Sequence, residues 1–255
     1  MSGACNRRAP SPNAIDPNAD RIVTRMTTFL KELKSVQVKV VIKYMVNPGN
    51  RKTETLYRYV VSCQRPNKLA IVFEEGPQGK TLVSDGTSMT IYQSKTNSYT
   101  VTSAPKTLDN VIMEESGPLV KLGARGPAIF DLLVGNLDRN GLLDETTSGV
   151  LSGEESIGNK PCWHLKFEKP RLPWDLWVAK TDDPLPVQIV PDLTIICRER
   201  SLVSSRSQPV TMNWSLSFSD WKLNPQLPES VFQFTPPPDA QSASDTDESS
   251  GPLTK

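Results

Sequence analysis

The sequence predicts a mainly β fold, a strongly curved antiparallel sheet that forms an incomplete barrel. Three observations lead to this fold class. Apolar and polar residues alternate with a period of two over long segments, as in residues 36–44 and 210–218. The connections between most of these segments are too short for crossover helices, so the strands pair antiparallel. No internal repeat is evident, which disfavours a propeller.

A helix is predicted ahead of the first strand. Asp16 can act as the N-cap residue, and Pro17 suits the first helical position. Apolar side chains then recur at helical spacing and form one stripe, at Ile22, Met26, Phe29, Leu30 and Leu33. Such a stripe is typical of a helix that packs on a core, so we expect this helix to cover the sheet.

The strands fall into two groups separated by a helical insert. The first group follows the helix and ends near residue 103. Residues 105–147 contain two short segments of helical character joined by Gly-Pro pairs, and an insert of this kind is expected to cover the sheet or the mouth of a cavity. Strands resume near residue 149, and the last one is predicted at residues 231–234.

Composition divides the chain into three parts. Residues 1–19 are rich in Pro, Asn, Arg and Ser and are predicted to form a flexible leader. Small residues precede Cys5, as at the end of a bacterial lipoprotein signal, which makes Cys5 either a lipid attachment site or an ordinary tail cysteine. Residues 20–235 are predicted to form one folded domain. Residues 236–255 are polar and acidic and are predicted to be a disordered tail.

The charge balance and hydropathy argue against two classes of partner. Lys and Arg total 29 and Asp and Glu total 28, so the formal net charge is only +1. This balance argues against nucleic acid as the main partner. No apolar stretch reaches the roughly 18 residues that a membrane-spanning helix needs. Association with a membrane would therefore depend on a lipid at Cys5.

Residues that could carry catalysis or bind a metal are sparse. His164 is the only histidine, and a strand histidine is more often a structural residue than a catalytic base. The four cysteines form no CxxC pair, so neither a metal nor another cofactor is expected, although a disulfide remains open. The five tryptophans fit either core packing or contact with a lipid or a sugar. We therefore predict a protein that is not an enzyme.

Several local strings, in this order, resemble the LolA/LolB/RseB-like superfamily of lipoprotein carriers and sensors, and within it a branch of predicted periplasmic proteins. The strings cover much of the chain from residue 18 to residue 240. They are SDGTSMTIYQSKTNSYTV (84–101), PAIFDLLVGN (127–136), IGNKPCWHLKF (157–167), DLWVAKTDDPLPVQIV (175–190) and FSDWKLNPQLPESVFQFTPPPDA (218–240).

The resemblance implies an open barrel whose concave side is closed by the N-terminal helix and the helical insert. It also implies a monomer, in the periplasm or at the outer membrane, that binds a lipid or an acylated protein. A concave apolar face could take up an acyl chain because burying apolar area gains about 25 cal/mol per Å². The alternative is a protein-interaction or envelope-stress sensor module without a lipid.

The residues expected to line the concave side of the barrel and bind the ligand are apolar residues of the strands with alternating patterns. They are Val38, Val40, Ile42, Ile71, Phe73, Trp163, Leu165, Phe167, Trp214, Leu216 and Phe218.

Overall fold

The computed structural model describes residues 15–48, 53–75, 79–108, 143, 145–170, 172–195, 197–198 and 210–243. The leader with Cys5, most of the helical insert and the end of the tail lie outside these residues.

The N-terminal helix, α1, spans Pro17–Glu32. The Asp16 side chain accepts a hydrogen bond from the backbone N–H of Ala19 at 3.3 Å, and Pro17 opens the helix, as the sequence predicts. Leu33 leaves the helical conformation and leads into the first strand. Of the predicted stripe, Phe29 is partly buried and the other four residues are buried. The helix therefore packs its apolar face on the core.

The described residues contain twelve strands in one sheet. They are β1 (Ser35–Pro48), β2 (Thr53–Gln64), β3 (Lys68–Glu75), β4 (Lys80–Ser84), β5 (Ser88–Gln93), β6 (Ser98–Ser103), β7 (Ser148–Ile157), β8 (Lys160–Glu168), β9 (Trp174–Ala179), β10 (Pro186–Pro191), β11 (Val210–Leu223) and β12 (Gln241–Ser242). Their order across the sheet is β12-β6-β5-β4-β3-β2-β1-β11-β10-β9-β8-β7. All neighbours are antiparallel except β12, which runs parallel to β6. Because β12 and β7 are the two edges, the curved sheet stays open, and the predicted fold class is confirmed.

The register places one set of apolar residues on the face that carries α1, here called the inner face. Residues that pair directly across strands lie on the same face of a sheet. One inner-face row crosses seven strands from β2 to β7: Tyr57, Ile42, Leu216, Ile189, Leu176, Leu165 and Leu151. Most of this row belongs to a single core cluster with the buried residues of α1. The core therefore lies between α1 and the inner face.

A bulge in β11 changes which residues face inward. The pairing with β1 shifts between Gln37 and Lys39, and Asp220 adopts a positive φ of 52°. The extra residue breaks the alternation, so Phe218 and Trp221 both pack against the core although they are three residues apart.

The junction between β10 and β11 is short. Two residue pairs join them, Gln188 with Ser217 and Ile189 with Leu216. Beyond Ile189 the two strands no longer pair, and Pro191 ends β10 because proline has no backbone N–H to extend the ladder. The sheet is thus nearly divided between β10 and β11.

One predicted strand near the end of the chain differs from the structure. The first two residues of the predicted strand 231–234 belong instead to a 3-10 helix, Glu229–Phe232, which buries Phe232. Farther along the chain, Gln241 and Ser242 pair with β6. A proline-rich segment gives no alternation that would signal such a short strand.

Candidate ligand-binding site

The eleven predicted lining residues all lie on strands of the inner face. Eight of them are buried in the core cluster that includes α1, and they are Val38, Val40, Ile42, Ile71, Leu165, Phe167, Leu216 and Phe218. Phe73, Trp163 and Trp214 are partly exposed. The inner face thus has a part packed with side chains beneath α1 and a part that solvent reaches.

An aromatic group occupies the end of the inner face where β2 begins and β1 ends. Tyr44 lies between Tyr57 and Trp214, with ring centroids 5.7 Å and 6.1 Å away. Tyr59 meets the Phe73 ring edge-on at 5.5 Å. Burial, and then the neighbouring Tyr57 and Tyr44, raise the pKa of the Tyr59 hydroxyl to about 12. These five residues, the aromatic end, form an apolar surface that is only half-buried.

An open cavity of about 950 Å³ lies at the strand ends where β10 and β11 separate. This volume is in the range of small-molecule pockets, about 300–1,000 Å³. Its apolar lining is buried or half-buried: Phe167, Pro173, Val190, Pro191, Leu193, Cys197 and Met212. Phe167 belongs to both the core cluster and the cavity, and Met212 lies on the same face of β11 as Trp214. The cavity therefore reaches the inner face at Phe167 and Met212, whereas Lys166, Asp175 and Val190 line it from the other face of the sheet.

Polar groups form the outer part of this cavity. They are Lys166, Glu168, Asp175, Asp192, Thr194, Arg198, Thr211 and Asn213, and most of them are exposed. The hydrogen bonds that Thr194 donates from its side chain and backbone lower the pKa of Asp192. An apolar interior with a charged and hydroxylated rim suits an amphiphile, a molecule with an apolar chain and a polar head.

Several buried polar atoms near this end of the sheet have no hydrogen-bond partner within the described residues. They include the indole Nε1 of Trp214, Oδ1 of Asn47 and Oγ1 of Thr146. Asn47 bonds through its other amide atom to Thr211, which lines the cavity. Leaving a buried donor or acceptor unpaired costs on the order of 1–3 kcal/mol.

The only histidine lies on the other face of the sheet, within a polar cluster. His164 Nε2 is 2.9 Å from Oδ2 of Asp175, and Nδ1 is 3.4 Å from Oε2 of Glu155. Its ring stacks on Trp177 at 4.3 Å, and the Trp177 indole donates a hydrogen bond to Glu155. Because both imidazole nitrogens face carboxylates, neither is directed at a substrate as a general base must be.

Metal ligation, membrane crossing and disulfide bonding can each be checked in the described part of the chain. No group of three His, Cys, Asp or Glu side chains there is arranged to hold a metal ion. In the same residues, no helix is long and apolar enough to cross a membrane. Cys63 and Cys162 are buried thiols rather than halves of a disulfide.

Sequence reasoning found the inner face but missed most of the cavity. Alternation identifies inward-facing residues such as Met212, yet the cavity depends on where β10 and β11 stop pairing. Pro191 is the one local signal, because a proline can end a strand. The proline does not indicate which residues of β11 pair with β10, and the cavity depends on that pairing.

The fold is an open, curved antiparallel sheet with an N-terminal helix on its inner face. Similar solved structures include an uncharacterised conserved protein from Thermus thermophilus (15% identity, 89% of this chain and 98% of that chain, TM-score 0.47). Others are the lipoprotein LppX of Mycobacterium tuberculosis (12%, 84% and 98%, 0.41) and a LolA superfamily protein from Nitrosomonas europaea (16%, 85% and 97%, 0.33). No curated protein matches the chain.

Residues 19–244 match the family described as "Predicted periplasmic protein (DUF2092)", and the chain belongs to this family. The periplasmic location that the sequence resemblance implies agrees with that description.

Proposed function

We propose that this protein is a non-catalytic periplasmic binding protein that holds the acyl chain of a lipid or a lipoprotein. The observation that carries the proposal is the 950 Å³ cavity between the ends of β10 and β11. Its buried apolar lining can take the chain, and its exposed charged rim can face the polar head. The eleven inner-face residues remain the proposed lining, with Phe167 as the point where cavity and inner face meet.

Charge placed in the apolar lining tests the proposal. Met212→Glu puts a carboxylate on the half-buried inner-face side of the cavity, whereas Val101→Glu changes a side chain on β6 that is already 53% exposed. Binding of a fluorescent fatty acid, cis-parinaric acid, is titrated for the full chain and both variants. We expect Met212→Glu to weaken binding at least about tenfold, because a carboxylate must be desolvated by the chain.

Val101→Glu is the matched control and should bind as the unchanged protein does. Thermal unfolding establishes that both variants are folded. If the unchanged protein binds no probe, or if Met212→Glu binds it with undiminished affinity, the cavity is not an acyl site.

The second candidate is a protein-interaction module without a lipid. The observation in its favour is that eight of the eleven proposed lining residues are already packed against α1 or its surroundings. Native mass spectrometry of the protein from a bacterial envelope separates the two. A co-purified acyl lipid supports the first candidate, and a lipid-free mass together with no probe binding supports the second.

A further inference from the structure

We infer that the polar head of the bound molecule is an anion, a carboxylate or a phosphate, and that Lys166 and Arg198 hold it at the rim of the cavity. This inference rests on the proposed function and adds the charge class of the ligand. The head group lies at the exposed outer part of the cavity, and the acyl chain lies in its apolar interior.

Both cations line the cavity where solvent reaches it. Lys166 lies on β8 between Leu165 and Phe167, which belong to the core, so its side chain is on the opposite face of the sheet. Arg198 follows Leu193 and Cys197, which also line the cavity. Lys166 and Arg198 are both exposed. A head group that projects from the apolar interior can therefore reach them without entering the core.

Neither cation is paired with a carboxylate. Within the described residues, Lys166 and Arg198 form no salt bridge with an Asp or Glu side chain. Lys169 and Lys180, which do not line the cavity, form salt bridges with Glu145 at 3.5 Å and with Glu154 at 2.6 Å. The two cations of the cavity are therefore available to a ligand.

Two of the three carboxylates that line the cavity already have partners. Asp175 Oδ2 is 2.9 Å from Nε2 of His164, and Asp192 accepts a hydrogen bond from the Thr194 backbone N–H at 2.9 Å. The Glu168 side chain has no hydrogen bond or salt bridge within the described residues. Two unpaired cations thus face one unpaired carboxylate, and this balance favours a negatively charged group.

The chemistry of the two side chains selects oxyanions. The guanidinium of Arg198 presents planar N–H groups whose geometry matches a carboxylate or a phosphate, and the ammonium of Lys166 is a compact charge with three donors. Hydrogen bonds between such cations and an oxyanion are about twice as strong as those to an uncharged hydroxyl group. An anionic head therefore gains more at this rim than a glycerol head does.

Ligands with similar chains and different head charges test the inference. Dodecyl phosphate is anionic, monolauroyl glycerol is uncharged and dodecyltrimethylammonium is cationic. Each displaces cis-parinaric acid from the full chain below its micelle-forming concentration, and ratios of affinity are compared so that the probe cancels. We expect dodecyl phosphate to bind about fivefold or more tightly than monolauroyl glycerol, and dodecyltrimethylammonium to bind most weakly. Inorganic phosphate, at ionic strength matched with sodium chloride, should not displace the probe.

Variants of opposite sign at the rim localise the effect. Lys166→Met and Arg198→Met should each lower the ratio of phosphate to glycerol affinity about two- to fivefold, the value of one exposed ion pair. Glu168→Gln removes the opposing carboxylate and should raise the ratio. Lys95→Met is the matched control, because it removes the same charge from an exposed residue between β5 and β6 that does not line the cavity. Thermal unfolding establishes that all four variants are folded.

Failure of the proposed function and failure of the inference give different results. If no ligand with an acyl or alkyl chain binds and the probe does not bind, the proposed function itself is contradicted. If the chains bind with equal affinity whatever the head, or if the cationic ligand binds best, acyl binding stands and the anionic head is overturned. An equal change of the ratio in Lys95→Met and Lys166→Met overturns the assignment to the rim. Displacement by inorganic phosphate would make free phosphate, rather than a lipid head, the anion that binds.

Discussion

Gly149 shows how one missing side chain shapes the proposed site. A Cβ atom at this position would lie 2.6 Å from Cδ1 of Phe167 and 3.4 Å from Ile15. The close approach lets the Phe167 ring stack on Trp174, with centroids 4.4 Å apart, where the core meets the cavity. The glycine is therefore needed for space rather than for a positive φ.

We expect Gly149→Ala to lower the free energy of unfolding by about 1–3 kcal/mol, because the methyl group overpacks the site and displaces the ring. Urea unfolding measures the change. In a Phe167→Leu background the ring is absent, so the added cost of Gly149→Ala should shrink. An equal cost in both backgrounds would show that the ring is not what the methyl group meets.

Cys63 gives a pH-dependent expectation. Burial raises the pKa of its thiol from 9.0 to about 12. The unfolded chain therefore loses this proton at lower pH than the folded chain does, and stability present below pH 9 is lost as the pH rises toward 12. Between about pH 8 and pH 10.5 the unchanged protein should lose about 2 kcal/mol more stability than Cys63→Ala. Equal losses, measured by urea unfolding, would mean that the thiol stays accessible to base.

For single residues, the sequence indicates which face of the sheet a side chain occupies but not which other side chains it contacts. Alternation correctly assigns Trp214 and Leu216 to the inner face, because side chains in a strand alternate. It does not reveal that Nε1 of Trp214 lacks an acceptor among the described residues, nor that His164 lies between Asp175 and Glu155. Those facts depend on residues brought together by strand pairing.

Among the elements, α1 is the one that the sequence describes best. Its cap, its first proline and its stripe are all local signals, so its start and its buried face follow from neighbouring residues. The β11 bulge is different, because Asp220 is placed by pairing with β1 and has no strong local signature. Trp221 faces the core only because of that bulge.

The cap of α1 supplies an expectation for the element. Asp16→Ala removes the acceptor for the Ala19 N–H and should lower the free energy of unfolding by about 1 kcal/mol. Asp16→Asn keeps an amide oxygen that can accept the same bond, so its effect should be much smaller. Chemical denaturation of the two variants compares them. A loss of equal size in both would point to the charge rather than to the cap.

Across the whole molecule, the two sheet edges are protected differently. The outer side of β6 is covered by β12. The outer side of β7, which faces away from β8, is bridged within the described residues only at Gly149, by Ile15. The outer part of β7 carries a register shift at Leu151 and an exposed Glu154 that pairs with Lys180 at 2.6 Å. Bulges and charges are common devices against edge-to-edge pairing.

We expect Glu154→Val to promote self-association through β7, because it removes a charge that hinders pairing between two copies. Light scattering coupled to size-exclusion chromatography should show dimers or larger species for this variant and monomers for the unchanged protein. Glu74→Val, an equally drastic change at an exposed position of the interior strand β3, is the control and should remain monomeric. Association of both variants would indicate a general loss of solubility instead.

The short junction between β10 and β11 has a consequence for how the molecule opens. Twelve residue pairs join β11 to β1, but two join it to β10, so strands β7 to β10 are attached to the rest of the sheet mainly through the core under α1. Amide hydrogens in such weakly joined units exchange through separate opening events. A molecule bound in the cavity would contact residues of both β10 and β11 and couple these events, so its binding would be recorded as slower amide exchange on both sides of the junction.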